Sequence, residues 1–352
     1  MDQPSGRHPV VPPTLATVAE RAGVSRQTVS NALNNPDLLR PDTLERVLAV
    51  VDELGYTPNR AARQLRTRAS RLVGLRFEPA QEDTSSALLD RFVHSLVETS
   101  ERTGHHVLLF SGDEGDPLDG YDELLRSTAV DAFVVTDTYA GTPQASFLQS
   151  RGAPFVAFGR PWDAPDSGGT SDWAWVDVDG AHGSRLATEH LLAQGHSRIA
   201  WLGWERGSRI GEDRRSGWQG AMTAAGHDVT GLGVRTSDNV DAARMAAHRV
   251  LEDRSVTGFV CVSDTLGIGV LHALMERGLA PGHDVGVVGF DDSLGAQMVW
   301  PGLSSVRQPL EQVAVELVTL LHLVLGHKPI AERGTMLQPA LVVRRSSRRD
   351  WT

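Results

Sequence analysis

Arg26, Gln27 and Asn31 are the residues of this chain whose types and spacing most directly imply chemistry. They lie in the string GVSRQTVSNALN with Ser25, Thr28, Ser30 and Asn34, a run of guanidinium, amide and hydroxyl groups. Such side chains make paired hydrogen bonds to base edges, a guanidinium to guanine and a carboxamide to adenine. A helix that carries them at its N-terminal end suits the major groove. The solvated face of an ordinary small helical bundle would use the same residue types, so the surrounding elements decide between the two.

Those elements agree with one another. Thr14 is placed to cap a first helix, its hydroxyl accepting from the free N–H groups of the first turn. Leu15, Val18, Ala19 and Ala22 then form one apolar stripe. Gly23 ends that helix where positive φ is cheap, Val24 packs in the turn, and Ser25 caps the next helix. In the second helix Val29 and Leu33 face inward, leaving the polar set outside. A third helix starts at Pro41, packs through Leu44, Val47, Leu48, Val51 and Leu54, and ends at Gly55. Beyond it PNRAARQL can form only about two turns, too few to be stable alone in water. The consistency of caps, turn and packing favours a DNA reader.

Charge supports a local rather than global contact. The net charge is −10, yet residues 1–70 hold nine arginines against seven acidic side chains, and the remainder 25 basic against 37 acidic. Contact with phosphates is therefore confined to the N-terminal segment. The single cysteine, Cys261, excludes a disulfide framework within the chain and argues for a reducing compartment. MDQPSGRHPVVPP has no apolar core, so it is no secretory signal, and residues 1–13 are expected to be disordered. No run reaches the length of a membrane span. A cytoplasmic protein with no membrane contact is the expectation.

From Arg71 onward, apolar runs alternate with longer amphipathic stretches: LVGL, VLLF, AFVVT, FVAF, WVDV, IAWLG, GFVCV and VGVVGF. The alternation predicts parallel sheets with helices on both faces, in two units rather than one. The loop-rich DAPDSGGTSD lies near the expected crossover.

Through VAERAGVS, TVSNALN and ELGYTPNRAARQL, the stretch from Thr14 to Leu65 resembles the headpiece and hinge of the lactose-repressor (LacI/GalR) family of bacterial transcription regulators. TEHLLAQGHSRIAWLG, RRSGWQGAM and VGVVGFDD extend the resemblance to about Val343, over the family's core, which shares the fold of periplasmic sugar-binding proteins. The resemblance implies an α/β protein: a helix-turn-helix headpiece over 14–58, a hinge helix and linker over 59–69, and a core of two doubly wound subdomains over 70–343. The N-subdomain would take about 70–170 and 302–330, the C-subdomain about 171–301 and 331–343, and 344–352 would be a basic tail. The second crossing is expected near Trp300 to Ser305, in PGLSSVRQP.

By the same resemblance Arg26, Gln27 and Asn31 read bases, while Ser25, Thr28, Ser30 and Asn34 hold phosphates. Thr14, Asn59, Arg60 and Ala62 complete the DNA side. Leu65 wedges into the central base step of an operator, kinking it; outside this context it would be an ordinary linker residue. Arg40 stands where the family favours a small hydroxyl cap. Operator symmetry implies a homodimer, and RRSSRRDWT carries no apolar heptad for tetramerisation.

Ligands of doubly wound sheets bind at the carboxyl ends of strands. Those ends offer Gly159 and Arg160, Trp204, Ser263 and Asp264, and Asp291, with Arg214 and Trp218 at the start of the helix after IAWLG. Arginine and aspartate bond directionally to vicinal hydroxyls, and tryptophan stacks on a sugar's C–H face. The resemblance makes Arg214 and Asp291 effector-holding residues, with Ser263 in place of an asparagine and Arg160 in a GRP motif. Helix capping is the lesser alternative for Asp264, and less still for Asp291. Trp173, Trp175, Trp201 and Trp300 are expected in the core or at an interface.

The function implied is a repressor of carbohydrate-utilisation genes whose affinity for a pseudo-palindromic operator changes when a mono- or oligosaccharide fills the cleft. Whether the ligand induces or corepresses stays open, as does a nucleobase or phosphorylated metabolite in its place. The core alone would suit a sugar-binding protein without a DNA role, which the headpiece opposes. No cofactor, metal or enzymatic activity is expected. His105 and His106 point apart on a strand, His182 and His190 lack a ligating partner, and no nucleophile elbow or Walker loop occurs.

Overall fold

A computed structural model describes residues 13–56, 69–77, 86–112, 116–136, 138, 139, 141–162 and 173–349. The chain divides into two compact units, residues 1–70 and 71–352. The expected disordered N-terminus lies outside the described residues apart from Pro13, as do the hinge positions Asn59, Arg60, Ala62 and Leu65.

The first unit holds α1 (Leu15–Ala22), α2 (Arg26–Asn34) and α3 (Pro41–Glu53), with a short 3-10 turn over Pro36–Leu38. Thr14 and Thr17 form a reciprocal capping box on α1, and Gly23 closes that helix with φ 65°. Val18, Ala19, Ala22, Val29, Ala32, Val47, Val50 and Tyr56 make the core. Leu48 departs from its expected packing role: it is exposed, and Val50 is buried instead. Arg40 makes no side-chain cap on α3. Pro41 needs no bonded N–H there, and Asp42 complements the positive helix end.

The second unit contains two six-stranded sheets. The first is built from β1 (Leu72–Arg76), β2 (His106–Phe110), β3 (Ala132–Val135), β4 (Phe155–Phe158), β5 (Ala174–Val178) and β11 (Gly334–Leu337), in the order β11-β5-β4-β3-β1-β2 and parallel throughout. The second holds β6 (Ile199–Gly203), β7 (Gly233–Arg235), β8 (Gly258–Cys261), β9 (Gly286–Phe290), β10 (Ser304–Arg307) and β12 (Ala340–Val342), in the order β12-β10-β9-β8-β6-β7. Only its β10–β12 pair is antiparallel. The helices are α4 (Ser86–Arg102), α5 (Tyr121–Arg126), α6 (Pro143–Ser150), α7 (Gly180–Ala193), α8 (Arg209–Ala224), α9 (Val240–Val250), α10 (Asp264–Glu276), α11 (Leu294–Met298) and α12 (Leu310–Leu325).

Sheet membership corrects all three boundaries expected from sequence. β5 and β11 belong to the first sheet and β10 to the second, whereas the sequence reading divides the chain near 170, 301 and 330. The crossings fall after β5, between β10 and α12, and between β11 and β12, since α12 returns to pack on α4, β4 and β5. DAPDSGGTSD lies outside the described residues. The C-terminal segment is also no loose tail up to Arg349. Ser346 and Ser347 are buried in a 3-10 turn, and Ser346 Oγ donates to the Val287 carbonyl at 2.6 Å.

The two helices that frame the site meet closely. Gly217 of α8 lies against the backbone of α7, and a Cβ built there would stand 1.8 Å from the Ala181 carbonyl oxygen. Backbone cannot yield as a side chain does, so Gly217→Ala should cost about 1–3 kcal/mol or more. The check is a fall in the urea midpoint with an unchanged slope. Gly220→Ala, one turn on in open space, should leave the midpoint unchanged or raise it.

Candidate functional site

On the first unit the polar face of α2 is accessible, with Arg26 and Gln27 exposed and Asn31 half-buried. Ser25 caps the helix: its Oγ accepts from Thr28 N at 3.1 Å and lies 2.9 Å from Thr28 Oγ1. Gln27 Nε2 donates to Asn31 Oδ1 at 3.0 Å, and Asn34 Nδ2 donates to the Ser30 carbonyl at 2.7 Å. The amides of Gln27 and Asn31 therefore point along the same face, one turn apart. Thr14 caps α1, with its hydroxyl accepting from Thr17 N at 3.2 Å.

In the second unit the ends of the strands gather the residues picked from sequence. Gly159 follows β4 with φ 122°, and a Cβ there would meet Thr138 Oγ1 at 2.1 Å, so only glycine fits this turn. The turn delivers Arg160 between two carboxylates. Its Nε lies 3.0 Å from Asp177 Oδ2 on β5, and its Nη2 lies 2.7 Å from Asp213 Oδ2 on α8. The second pair joins the first lobe to the second. Asp213 Oδ2 also accepts from Ala181 N at 3.1 Å, at the start of α7. Burial pushes both Asp177 and Asp213 above the usual carboxylate range, against the pull of Arg160.

Arg214, the next residue of α8, is buried. Its Nη1 donates to the Val262 carbonyl at 2.6 Å, its Nη2 lies 3.5 Å from Asp291 Oδ1, and its guanidinium sits 3.7 Å over the Phe290 ring and 5.4 Å from Trp204. Its Nε is buried without a hydrogen-bond partner among the described residues. Asp291 has φ 104°, a conformation an aspartate adopts only when its surroundings impose it. Gln308 Nε2 donates to its Oδ1 at 2.6 Å. From the first lobe, Arg91 on α4 reaches the carbonyls of Asp291 and Asp292 at 3.5 and 3.4 Å.

Ser263 and Asp264 both do structural work. Ser263 Oγ caps α10 and donates to Asp238 Oδ1 at 2.5 Å. Asp264 occupies the first turn of α10 rather than its cap. It accepts from Ser305 Oγ at 2.5 Å and from Ser293 N at 2.6 Å, tying the second lobe's strand ends together. Burial, then the charge of Asp291, pushes its pKa up to about 7. Burial likewise raises Asp238.

One sequence-derived assignment fails. Trp218 is fully buried in the core of the second lobe, with Nε1 donating to the Ile199 carbonyl at 3.2 Å, so it does not line the cleft. Trp201 is a core residue beside it, with Trp173 and Trp175 packed in the first lobe, while Trp300 is exposed. Four residues of the cleft escape the sequence reading: Asp177, Asp213, Asp238 and Trp162. Trp162 lies under Arg160 with its ring centre 4.2 Å from the guanidinium carbon. An acidic residue inside the apolar run WVDV was the one available signal among these four.

A three-helix reading module joined to paired doubly wound lobes, with charged side chains gathered at their strand ends, defines the architecture of a DNA-binding transcriptional regulator. Residues 14–59 match the family "Bacterial regulatory proteins, lacI family", and residues 188–347 match a periplasmic binding protein-like domain. The HTH-type transcriptional regulator CelR of Thermobifida fusca is 35% identical, over 88% of this chain and 91% of that protein. The chain belongs to the lacI family of bacterial regulatory proteins. A LacI-family regulatory protein from Chloroflexus aggregans has a similar crystal structure, with TM-score 0.73 and 35% identity over 79% of this chain and 98% of that one. A structure of transcriptional regulator CelR in complex with cellobiose gives TM-score 0.69 and 29% identity over 95% of this chain and 99% of that one. No helix among the described residues is long and apolar enough to cross a membrane, and none of their histidine, cysteine and acidic side chains group as a metal site.

The raised pKa of Asp264 has a pH signature. Folding holds its proton more tightly than the unfolded chain does, so its contribution to stability falls as pH rises from about 4 to about 7 and is level above that. The melting temperature of the parent minus that of Asp264→Asn should therefore decrease between pH 5 and pH 7.5. A difference that grows over this interval would refute the buried, proton-retaining carboxyl.

Proposed function

We propose that this regulator is a repressor that binds a pseudo-palindromic operator as a homodimer and responds to a neutral saccharide held between the lobes of its core. The observation that carries the reading is the charge of the cleft. Asp177, Asp213, Asp238 and Asp291 outnumber Arg160, Arg214 and Arg91 there, and Asp264, pushed up to about 7, adds acid without its full charge. An anionic ligand would be repelled there, whereas a polyol can accept from arginine and donate to carboxylates at once. Trp162 and Trp204 add aromatic faces of the kind that stack on sugar rings. The cellobiose bound by CelR makes a β-linked disaccharide the first ligand to try.

On the DNA side, Arg26, Gln27 and Asn31 read bases, while Ser25, Thr28, Ser30 and Asn34 orient α2 on the phosphates. Thr14, Asn59, Arg60 and Ala62 assist, and Leu65 enters the central step. Ligand then acts by preferring one arrangement of the lobes, and a coupling of about 1–3 kcal/mol between the sites suffices. Arg160–Asp213 and the Arg91 bonds span the two lobes, so a ligand that competes for them changes which arrangement is favoured.

The test is fluorescence anisotropy of the full-length protein on its own upstream promoter DNA, with and without cellobiose and a panel of neutral mono- and disaccharides. Tight, salt-sensitive binding that one saccharide alters at least tenfold is expected. Gln27→Ala with Asn31→Ala should weaken promoter binding about 30- to 20,000-fold, at about 1–3 kcal/mol per lost paired contact, while leaving binding to random duplex nearly unchanged. Promoter affinity that no saccharide alters, but that a nucleobase does, would overturn the saccharide reading and keep the DNA one.

A further inference from the structure

Beside the cleft, on the outer edge of the second lobe, lies a cavity of about 380 Å³ walled by Arg206, Arg215, Arg235, Glu212, Trp201 and Gly233. Arg206 comes from the turn after β6, Glu212 and Arg215 from the first turns of α8, and Arg235 from the end of β7. Glu212 lies 2.6 Å from Arg235 Nη1 and 3.9 Å from Arg215 Nη1. It is the one carboxylate within ion-pair distance of Arg215 and Arg235 among the described residues, and Arg206 acts on it through its charge alone. Three guanidiniums against one carboxylate leave an excess of two positive charges, in a segment that is strongly acidic overall. The three cations hold Glu212 below the usual carboxylate range, with the Arg235 hydrogen bond the largest cause.

We propose that this cavity is an anion site for a phosphate-bearing small molecule, separate from the cleft and of opposite charge preference. Arginine forks match phosphate oxygens in pairs. Gly233 on β7 lines the cavity without a side chain, beside the Arg215 guanidinium. The site is also wired to the cleft. Glu212 and Arg215 face the cavity, while Asp213 and Arg214 between them hold Arg160 and approach Asp291. Arg235 Nη1 further donates to the Trp204 carbonyl at 3.2 Å, at the cleft's aromatic wall. An anion that draws Arg215 and Arg235 away from Glu212 thereby acts on the helix that carries the cleft's charges.

The proposal does not depend on the saccharide reading, and its test is separate. The full-length protein is titrated calorimetrically with inorganic phosphate, with glycerol 3-phosphate and with glycerol, at constant ionic strength. Saturable heat with either phosphate compound but not with glycerol is expected; which of the two binds tighter tells a free phosphate site from an ester site. Arg206→Gln with Arg215→Gln should weaken that binding at least tenfold, and Glu212→Gln should strengthen it several-fold. The urea midpoint of each variant reports whether it folds as the parent does, and Arg206→Gln alone, on an exposed turn, serves if the double variant does not. Arg26→Gln on the headpiece should leave the binding unchanged. No saturable heat with either phosphate, binding indifferent to the Arg206 and Arg215 changes, or binding lost in Arg26→Gln would each overturn the proposal.

Discussion

A carboxylate removed from water is tolerated only where donors or an opposite charge replace its hydration, and the core of this protein places five of them at the ends of its strands. Every other feature of the cleft answers that constraint. Arg160 is brought between Asp177 and Asp213 by a glycine turn that admits no side chain. Asp264 keeps a proton up to about pH 7 and takes two hydrogen bonds from serines. Asp291 accepts a left-handed backbone to meet Gln308 and approach Arg214. A sixth, Asp292, is fully buried and bracketed by Arg307 and Arg344 at 2.6 Å each, which fastens the C-terminal segment to the second sheet.

Because the compensating partners come from different lobes, electrostatics and lobe arrangement are one problem. Arg160–Asp213 spans the lobes near the first crossing, and Arg91 spans them near the second. α8 carries Asp213 of the first link, and its Arg214 approaches Asp291, whose carbonyl takes the second. Its close backbone contact with α7 makes the pair a rigid block, so a displacement at one end of α8 is carried along the block rather than absorbed in soft packing.

Local patterns were legible in the sequence; pairings across the chain were not. The caps Thr14 and Ser25, the turn at Gly23 and the buried stripe of α1 follow from residues within one or two turns of each other, and the structure has them as read. All eight apolar runs became strands. Which sheet a strand joins, however, depends on distant partners, and β5, β10 and β11 look locally like strands of either lobe. β7 and β12 are three residues long, too short to show an alternation. Trp218 misled for a geometric reason. It shares the inward face of α8 with Arg214, but one turn is about 5.4 Å farther from the strand ends, which is enough to carry it from cleft to core. Asp213, next to Arg214, carries no local signal, because its partner lies 53 positions earlier, on the other lobe.

On the proposed reading of α2 as the face that meets bases, the hydrogen bond between Gln27 and Asn31 bears on how the protein finds a site. With their amides joined, part of each group's hydrogen-bonding capacity is met without DNA. A duplex of arbitrary sequence offers phosphates to the hydroxyl residues around them but little reason for the amides to separate. The reading face can then travel in a closed form, held by contacts that are alike everywhere, and search is not slowed by chance base matches. Only a run of bases that repays the broken amide pair with two new partners opens it. Recognition in such a face is an exchange rather than an addition: every sequence that opens it forfeits the internal bond, so weak partial matches do not repay the opening and hold the protein no more tightly than arbitrary duplex.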